Sequence, residues 1–199
     1  MNRDVYGEAL YDFNELGHLK EPLLLHSSYG DIEEMPVDGF FREEEDIPEL
    51  EYIALSLCDG TVLDVGSGVG AHALYLQKKG FEVDALEISQ IACAIMKNRG
   101  VENVIQTNFF QFHGKKYDTL LMLMNGIGVS GTIQGFKNLL THCKELLSER
   151  GQLIFDSSDI SYLYEEYRIT RPDHYFGEIK FQYEYKGNLG EPFKWLYID

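Results

Sequence analysis

The sequence is organised around a glycine-rich stretch that reads Thr61-Val62-Leu63-Asp64-Val65-Gly66-Ser67-Gly68-Val69-Gly70. Its first half is rich in valine and leucine, which is typical of a buried strand, and its second half carries three glycines spaced two apart. A helical pattern of apolar residues begins at Ala71. Glycine permits a sharp turn and lets a ligand approach the backbone closely, and the first turn of a helix presents unpaired N–H groups. The stretch therefore predicts a strand, a tight turn and a helix start that together bind a polar ligand.

Two acidic residues support a cofactor site at this turn. Asp64 lies inside the predicted strand, where a charge costs free energy unless it has a partner. The next strand pattern, Phe81-Glu82-Val83-Asp84-Ala85-Leu86-Glu87, ends in an acid about 20 positions after Gly66, where a carboxylate accepts hydrogen bonds from both hydroxyls of an adenosine ribose. The plainer alternative for each piece alone is a set of loop glycines or a solvated acid. Taken together, the pieces favour a cofactor that contains adenosine.

Two cofactor classes fit the glycine-rich stretch. Residues 66–71 satisfy Gly-x-Gly-x-x-Ala, a pattern that a dinucleotide-binding dehydrogenase uses. The whole pattern, however, resembles the class I S-adenosylmethionine-dependent methyltransferases, whose first motif is an acid, any residue and then Gly-x-Gly-x-Gly, as in residues 64–70. The resemblance extends over roughly residues 60–159. It implies that Asp64 anchors the amino group of the methionine moiety, directly or through water.

The resemblance also assigns a role to the residues after the third strand pattern. In the family, this position is usually an acid or amide that reads the adenine amino group, and the next residue often flanks the ring. Asn108 and Phe109 occupy these positions, and an amide both accepts and donates hydrogen bonds. The alternative is an asparagine that forms a turn, followed by a phenylalanine of the core. We favour the cofactor role.

A near-continuous apolar run precedes a further part of the expected pocket. The run from Tyr117 to Met124 suits a parallel strand that is covered on both faces. Ligands of doubly wound sheets bind beyond the carboxyl ends of the strands, so Met124 and Asn125 are expected near the sulfonium. Some amino-group methyltransferases have Asn-Pro-Pro-Tyr here, whereas this chain has Asn-Gly-Ile-Gly. Their nucleobase or amide chemistry is therefore not carried over.

One cation stands out in the acidic N-terminal part of the chain. Arg42 follows Phe40 and Phe41 and precedes an acidic run, so we expect it at the mouth of the pocket, where it binds the methionine carboxylate or an anionic acceptor. The alternative is that the phenylalanines cover the edge of the core and that Arg42 pairs with a nearby acid. The full set of expected cofactor-binding residues is Asp64, Gly66, Ser67, Gly68, Gly70, Glu87, Ile88, Asn108, Phe109, Met124, Asn125 and Arg42.

The order of strand and helix patterns predicts an α/β fold. Alternating elements indicate a doubly wound, mostly parallel Rossmann-like sheet with helices on both faces, followed by a C-terminal β-hairpin. We expect one methyltransferase-like domain over residues 1–199, with an irregular N-terminal cap (1–47), a cofactor core (48–159) and a hairpin segment (160–199). The hairpin either completes the sheet or lies over the acceptor pocket. We favour the second arrangement, in which the chain stops before the family's usual last strands.

The composition argues against some classes of binding partner. A net charge of −16 and a pI near 4.7 disfavour nucleic acid, whose affinity rests on cationic contacts to phosphate, and an anionic membrane surface. No apolar run is long enough to span a bilayer, and the N-terminus lacks a signal-peptide pattern. The three cysteines are scattered and the histidines do not cluster with them at ligand spacing, so we expect reduced thiols, a cytoplasmic location and no metal.

The predicted function is methyl transfer from S-adenosylmethionine to an unidentified acceptor, with S-adenosylhomocysteine as product. The acceptor is expected to be a small molecule. Because the cofactor brings the reactive group and the protein supplies orientation, no triad is needed, and no catalytic residue is assigned. An NAD(P)-dependent oxidoreductase is an alternative, although Asp64 and Asn108 count against it. A non-catalytic S-adenosylmethionine-binding protein is another, because its cofactor motifs would look the same.

Overall fold

The computed structural model describes residues 3–30, 32–166 and 170–199. Its helices are α1 (Val5–Leu16), α2 (Glu49–Ser56), α3 (Ala71–Lys78), α4 (Gln90–Arg99), α5 (Ile133–Leu146) and α6 (Ser161–Glu166). Its strands are β1 (Leu23–Ser27), β2 (Glu33–Met35), β3 (Val62–Val65), β4 (Val83–Glu87), β5 (Asn103–Gln106), β6 (Tyr117–Met122), β7 (Leu147–Phe155), β8 (Glu178–Tyr185), β9 (Asn188–Leu189) and β10 (Phe193–Leu196). No helix in these described ranges is both long enough and apolar enough to cross a membrane.

A parallel sheet with the order β5-β4-β3-β6-β7 forms the centre of the molecule. Every residue of β3 and β4 is buried, because helices cover both faces of the sheet. Residues of α2, α3 and α4 pack with Val62 and Ala85 in one cluster, and residues of α5 pack with Leu63 and Leu120 in another. The prediction of a doubly wound, mostly parallel Rossmann-like sheet is therefore confirmed.

A second, antiparallel sheet joins the two ends of the chain. Its order is β10-β8-β1-β2, with β9 also paired to β8. The predicted C-terminal hairpin is present, and its strand β8 pairs with β1 through Leu25↔Tyr183 and Ser27↔Phe181. The hairpin does not pair with β7, so it does not extend the parallel sheet among the described residues.

The N-terminal segment is more regular than we expected. Its first part forms the helix α1, and the segment also contributes the strands β1 and β2. The sequence Leu23-Leu24-Leu25 shows no alternation of apolar and polar residues. It becomes a strand because its backbone pairs with β2 on one side and β8 on the other.

Helix α1 and the antiparallel sheet lie over the carboxyl ends of the parallel strands. Apolar residues of α1 pack against α4 and against Tyr185 of β8. In the turn after β6, Trp195 of β10 lies against Gly128, where an added Cβ would collide with the indole ring. This arrangement places a cover above the edge of the sheet at which doubly wound folds bind ligands.

Candidate functional site

The glycine-rich loop after β3 has the backbone conformation that its sequence predicts. Gly66, Gly68 and Gly70 all have positive φ angles, of 74°, 55° and 86°, in the region that favours glycine. Gly66 donates a backbone hydrogen bond to the carbonyl of Leu86 at 2.8 Å, which ties the loop to the end of β4. Gly70 then forms the N-terminal boundary of α3.

Glu87 at the end of β4 holds the loop from the side. The residue is only 6% exposed, and its carboxylate accepts backbone hydrogen bonds from Gly68 at 3.0 Å, Ile88 at 2.8 Å and Ser89 at 2.9 Å. Burial raises the pKa of Glu87, and these three N–H donors lower it in part. A carboxylate has about four acceptor positions, so capacity remains for a further donor such as a ribose hydroxyl.

Asp64 contributes a buried carboxylate with an unused acceptor. The residue is 2% exposed, and its Oδ2 atom has no hydrogen-bond partner among the described residues. Burial raises the pKa of Asp64, and the nearby His72 lowers it in part. An unsatisfied buried oxygen costs free energy, so this position is suited to a ligand that brings a hydrogen-bond donor or a positive charge.

A charged network from three parts of the chain lies close to Asp64. Glu51 of α2 accepts hydrogen bonds from Arg42 Nη2 at 2.8 Å and from His72 Nε2 at 2.7 Å. Burial alone would raise the pKa of Glu51, but His72 and Arg42 outweigh burial and hold the pKa below its ordinary value. Sequence reasoning missed Glu51 because it lies among other acids that are exposed, Glu49 included.

Arg42 faces the predicted pocket as well as an acid. Its Nη2 atom lies 3.1 Å from the sulfur of Met124, and its Nε atom is buried without a hydrogen-bond partner in the described parts of the chain. The ion pair with Glu51 was the plain alternative for Arg42, and it forms. Because the guanidinium also retains an unused donor, the ion pair does not exhaust its binding capacity.

The turn after β6 is held in an unusual backbone conformation. Met124 and Asn125 have φ angles of 58° and 56°, a region that costs free energy for residues other than glycine. The turn is fixed by Asp156 at the end of β7, whose Oδ1 atom accepts a hydrogen bond from the Asn125 N–H at 2.8 Å. Burial raises the pKa of Asp156. Asp156 was not among the expected site residues, although the apolar run Leu153-Ile154-Phe155 directly before it was a usable signal.

The segment after β5 buries one of its two phenylalanine rings and exposes the other. Asn108 is half-buried, and its side chain accepts the N–H of Phe110 at 2.9 Å. Phe109 is 5% exposed and packs in the core cluster with Leu63, whereas Phe110 is 38% exposed. The ring of Phe109, which we expected beside the adenine, thus lies in the core next to the turn that Asn108 caps. Phe110 is the accessible ring of this segment.

Tyr6 of α1 covers the glycine-rich loop and was not anticipated. A Cβ atom added to Gly68 would lie 3.6 Å from the Tyr6 hydroxyl and 3.7 Å from the Phe40 ring. The Tyr6 ring stacks on Tyr183 of β8 at 5.4 Å and meets Phe40 edge-on at 5.5 Å. These contacts bring α1, the segment before α2 and the antiparallel sheet together above the loop.

Comparison with known proteins identifies the family. A methyltransferase domain family matches residues 41–186. The chain superimposes on a crystal structure described as an S-adenosylmethionine-dependent methyltransferase from Bacteroides fragilis in complex with S-adenosylhomocysteine, with a TM-score of 0.88 and 40% identity over 98% of this chain and 81% of that one.

Two further relatives are more distant. The CcbJ methyltransferase from Streptomyces caelestis covers 98% of this chain and 81% of its own with a TM-score of 0.62 and 16% identity, which shows a shared fold alone. A 23S rRNA (uracil(747)-C(5))-methyltransferase of Pyrococcus abyssi is 34% identical over 82 residues, or 38% of this chain. This chain spans only 20% of the length of that curated relative. From the family match, the site geometry and the Bacteroides fragilis structure together, we conclude that the chain belongs to the methyltransferase domain family, within the class I S-adenosylmethionine-dependent methyltransferases.

Proposed function

We propose that this protein transfers a methyl group from S-adenosylmethionine to a small-molecule acceptor, with the cofactor bound at the loop after β3. The observation that carries the proposal is the Oδ2 atom of Asp64, which is buried and has no partner among the described residues. The methionine end of the cofactor carries an ammonium group, and an ion pair with it would satisfy this oxygen. The buried Asp64 carboxylate therefore fits the ammonium group of S-adenosylmethionine.

The remaining groups of the cofactor have matching candidates nearby. We assign the methionine carboxylate to Arg42, whose Nε atom is buried and unpaired in the described part of the structure, and the ribose hydroxyls to Glu87. Asn108 and the exposed ring of Phe110 would hold the adenine. Glu51 acts as a positioning residue, because it holds Arg42 and His72 together through hydrogen bonds. His72 also lowers the pKa of the nearby Asp64 in part, against the larger effect of burial, and so favours its charged form.

The chemistry comes mainly from the cofactor when it is bound, whose sulfonium methyl group is transferred to an acceptor electron pair by in-line displacement. The chain supplies position and exclusion of water. The Met124–Asn125 turn, held by Asp156, forms one wall near the methyl group. Tyr6 and Phe40 close the opposite side above Gly68. The side chain that removes a proton from the acceptor is not assigned, because it depends on the acceptor atom.

Two features, the net charge and the covered sheet edge, favour a small-molecule acceptor over RNA. The net charge is −16, and RNA binding rests on a cationic surface. The antiparallel sheet and α1 cover the carboxyl ends of the parallel strands, which suits an enclosed acceptor. We place the hairpin segment of residues 160–199 over the acceptor pocket, since its Trp195 lies against Gly128, three residues after Asn125. The three cysteines are buried and unpaired, which suits a reducing, cytoplasmic location.

The test is transfer of a labelled methyl group from S-adenosylmethionine. Purified protein is incubated with a small-molecule metabolite extract and, separately, with total RNA, and labelled products are counted. We expect labelled small molecules with the wild-type protein and none with Asp64→Asn, which keeps the shape of the side chain and removes its charge. Label found only in RNA would contradict the proposed acceptor class. Binding of the cofactor without transfer to either pool would favour a non-catalytic binding protein.

A further inference from the structure

A cluster of two histidines and a glutamate lies beside the Asn108–Phe110 segment, outside the proposed cofactor contacts. It consists of His113, His142 and Glu145, whose ligand atoms all lie within 4.8 Å of one another. We propose that this cluster binds a divalent transition-metal ion of the Zn²⁺ class. The proposal does not depend on the methyltransferase activity.

The fold brings the three residues together from two elements. His142 and Glu145 are three residues apart on α5 and share one face of that helix, with His142 Nδ1 3.7 Å from Glu145 Oε2. His113 comes from the loop that follows Phe109 and Phe110, and its ring lies 5.1 Å from the ring of His142 at an interplanar angle of 86°. Because the sequence separates His113 from the helix, a search for short ligand spacings does not find the cluster.

The ring of His142 is already oriented for a metal. Its side chain is 9% exposed, and its Nε2 atom lies 2.9 Å from the backbone carbonyl oxygen of Phe109. A carbonyl only accepts, so Nε2 carries the proton and donates, and in the neutral ring the lone pair is on Nδ1, on the side of Glu145. Metal-bound histidines typically donate their second ring N–H to such a carbonyl, which sets the tautomer and the ring angle.

The donor set indicates the type of metal. Two imidazoles and one carboxylate suit Zn²⁺ and neighbouring transition metals, whereas Mg²⁺ and Ca²⁺ prefer sites made of oxygen ligands. The Glu145 side chain is 62% exposed, so water has access to complete a four-coordinate ion. The net charge of −16 attracts cations to the protein. The competing interpretation is a plain ion pair between a protonated His142 and Glu145, without any metal.

Metal binding at this place would tie the loop at His113 to α5. The three ligands come together only in the native fold, so the metal binds the folded chain in preference to the unfolded chain. Binding that is specific to the folded state raises the melting temperature, and the rise grows with the logarithm of the free metal concentration above the dissociation constant. The proposal thus predicts both a binding isotherm and a stabilisation, and both depend on the same three side chains.

The experiment uses the full chain after treatment with a chelator and dialysis. Zn²⁺ alone is titrated by calorimetry into the wild type, His113→Ala and Glu145→Gln, and melting is recorded with and without Zn²⁺. His113 and Glu145 are exposed, so these variants should fold normally. His18→Ala is the matched control, because it removes an exposed histidine at the end of α1.

We expect one Zn²⁺ per chain and a raised melting temperature for the wild type and for His18→Ala. Both cluster variants should bind at least about tenfold more weakly and lose the stabilisation. Two results would overturn the site: absence of saturable one-to-one binding by the wild type, or wild-type affinity in either cluster variant. The second result would mean that Zn²⁺ binds elsewhere and that the cluster is only an ion pair.

Discussion

The parallel sheet and the antiparallel sheet differ in where each strand finds its neighbours. In the parallel sheet, β3 pairs with β4 and β4 with β5, and each pair is joined by the helix between them in sequence. In the antiparallel sheet, β2 pairs with β1 and β10 pairs with β8, and the two parts of the chain are joined by the pairing of β1 with the distant β8. Apart from the pairing of β3 with β6, the strands of the half that carries the cofactor loop pair with the next strand in sequence. The half that covers the loop exists only because β1 pairs with β8, more than 150 residues away.

The largest effect is expected from core truncations that compare the two sheets. Leu23 of β1 and Leu120 of β6 are both fully buried, so each Leu→Ala change should lower the free energy of unfolding by about 2–5 kcal/mol. Urea denaturation followed by circular dichroism measures both. If the two halves fold as one unit, each variant gives a single transition at lower urea. A Leu23→Ala variant with unchanged stability would show that the antiparallel sheet does not share the cooperative core.

The glycine-rich loop offers a matched pair of substitutions within the parallel half. Gly66 and Gly70 both have positive φ, but an added Cβ meets nothing within 4 Å at Gly66 and lies 2.7 Å from Val101 Cγ2 at Gly70. Gly66→Ala should lower the free energy of unfolding by about 1–2 kcal/mol, from backbone strain alone. Gly70→Ala should cost a further ~1–3 kcal/mol from overpacking. Equal unfolding free energies for the two variants would contradict the close packing of α3 and α4 at the loop.

The cofactor contact at the end of β4 should show in binding. Glu87→Ala removes the acceptor assigned to the ribose and the partner of the Gly68 N–H, so the affinity for S-adenosylhomocysteine should fall by about 1–3 kcal/mol. Glu82→Ala is the control, because Glu82 pairs with Lys115 at the surface. Calorimetry measures both. Wild-type affinity in Glu87→Ala, or an equal loss in Glu82→Ala, would remove Glu87 from the site.

The smallest effect concerns the junction between α1 and the antiparallel sheet. Asp12 of α1 pairs with Lys186 and accepts a hydrogen bond from Tyr185 at 2.8 Å, and Lys186 foremost holds the pKa of Asp12 below its ordinary value. A carboxyl group with a lowered folded-state pKa stabilises the fold above its unfolded pKa of about 3.9 and loses this contribution as the pH falls through the folded value. Asp12→Asn should therefore lower the free energy of unfolding by up to about 1 kcal/mol at pH 7. The same change should have no effect at a pH below the folded-state pKa of Asp12. A cost that is the same at both pH values would exclude the ion pair as its cause.

Features that depend on neighbouring residues could be predicted from the sequence, whereas features that depend on distant contacts could not. The strand, loop and helix at residues 62–78 were predictable, because they depend on local periodicity and on glycine. The burial of Phe109 in place of Phe110 was not, since it depends on the angle of one capped turn. The partner of the hairpin was not predictable either, because no local pattern in β1 points to β8.

Helix α2 shows why the charged part of the site was missed. Its apolar residues recur at helical spacing, which predicts the helix but not which face is buried. Leu50, Ile53 and Leu57 are 49–64% exposed, while Glu51 is 8% exposed. Glu51 is buried because Arg42 and His72 arrive from other segments and neutralise it. Partners that are assembled by tertiary contacts leave no signal in a single sequence.

The most direct test of the central claim is calorimetry of the wild-type chain with S-adenosylhomocysteine and, separately, with NAD. The buried and unpaired Oδ2 atom of Asp64 and the carboxylate of Glu87 at the glycine-rich loop predict one S-adenosylhomocysteine per chain. They also predict clearly weaker binding in Asp64→Asn, and little heat with NAD. Tight NAD binding without a response to S-adenosylhomocysteine would contradict the account.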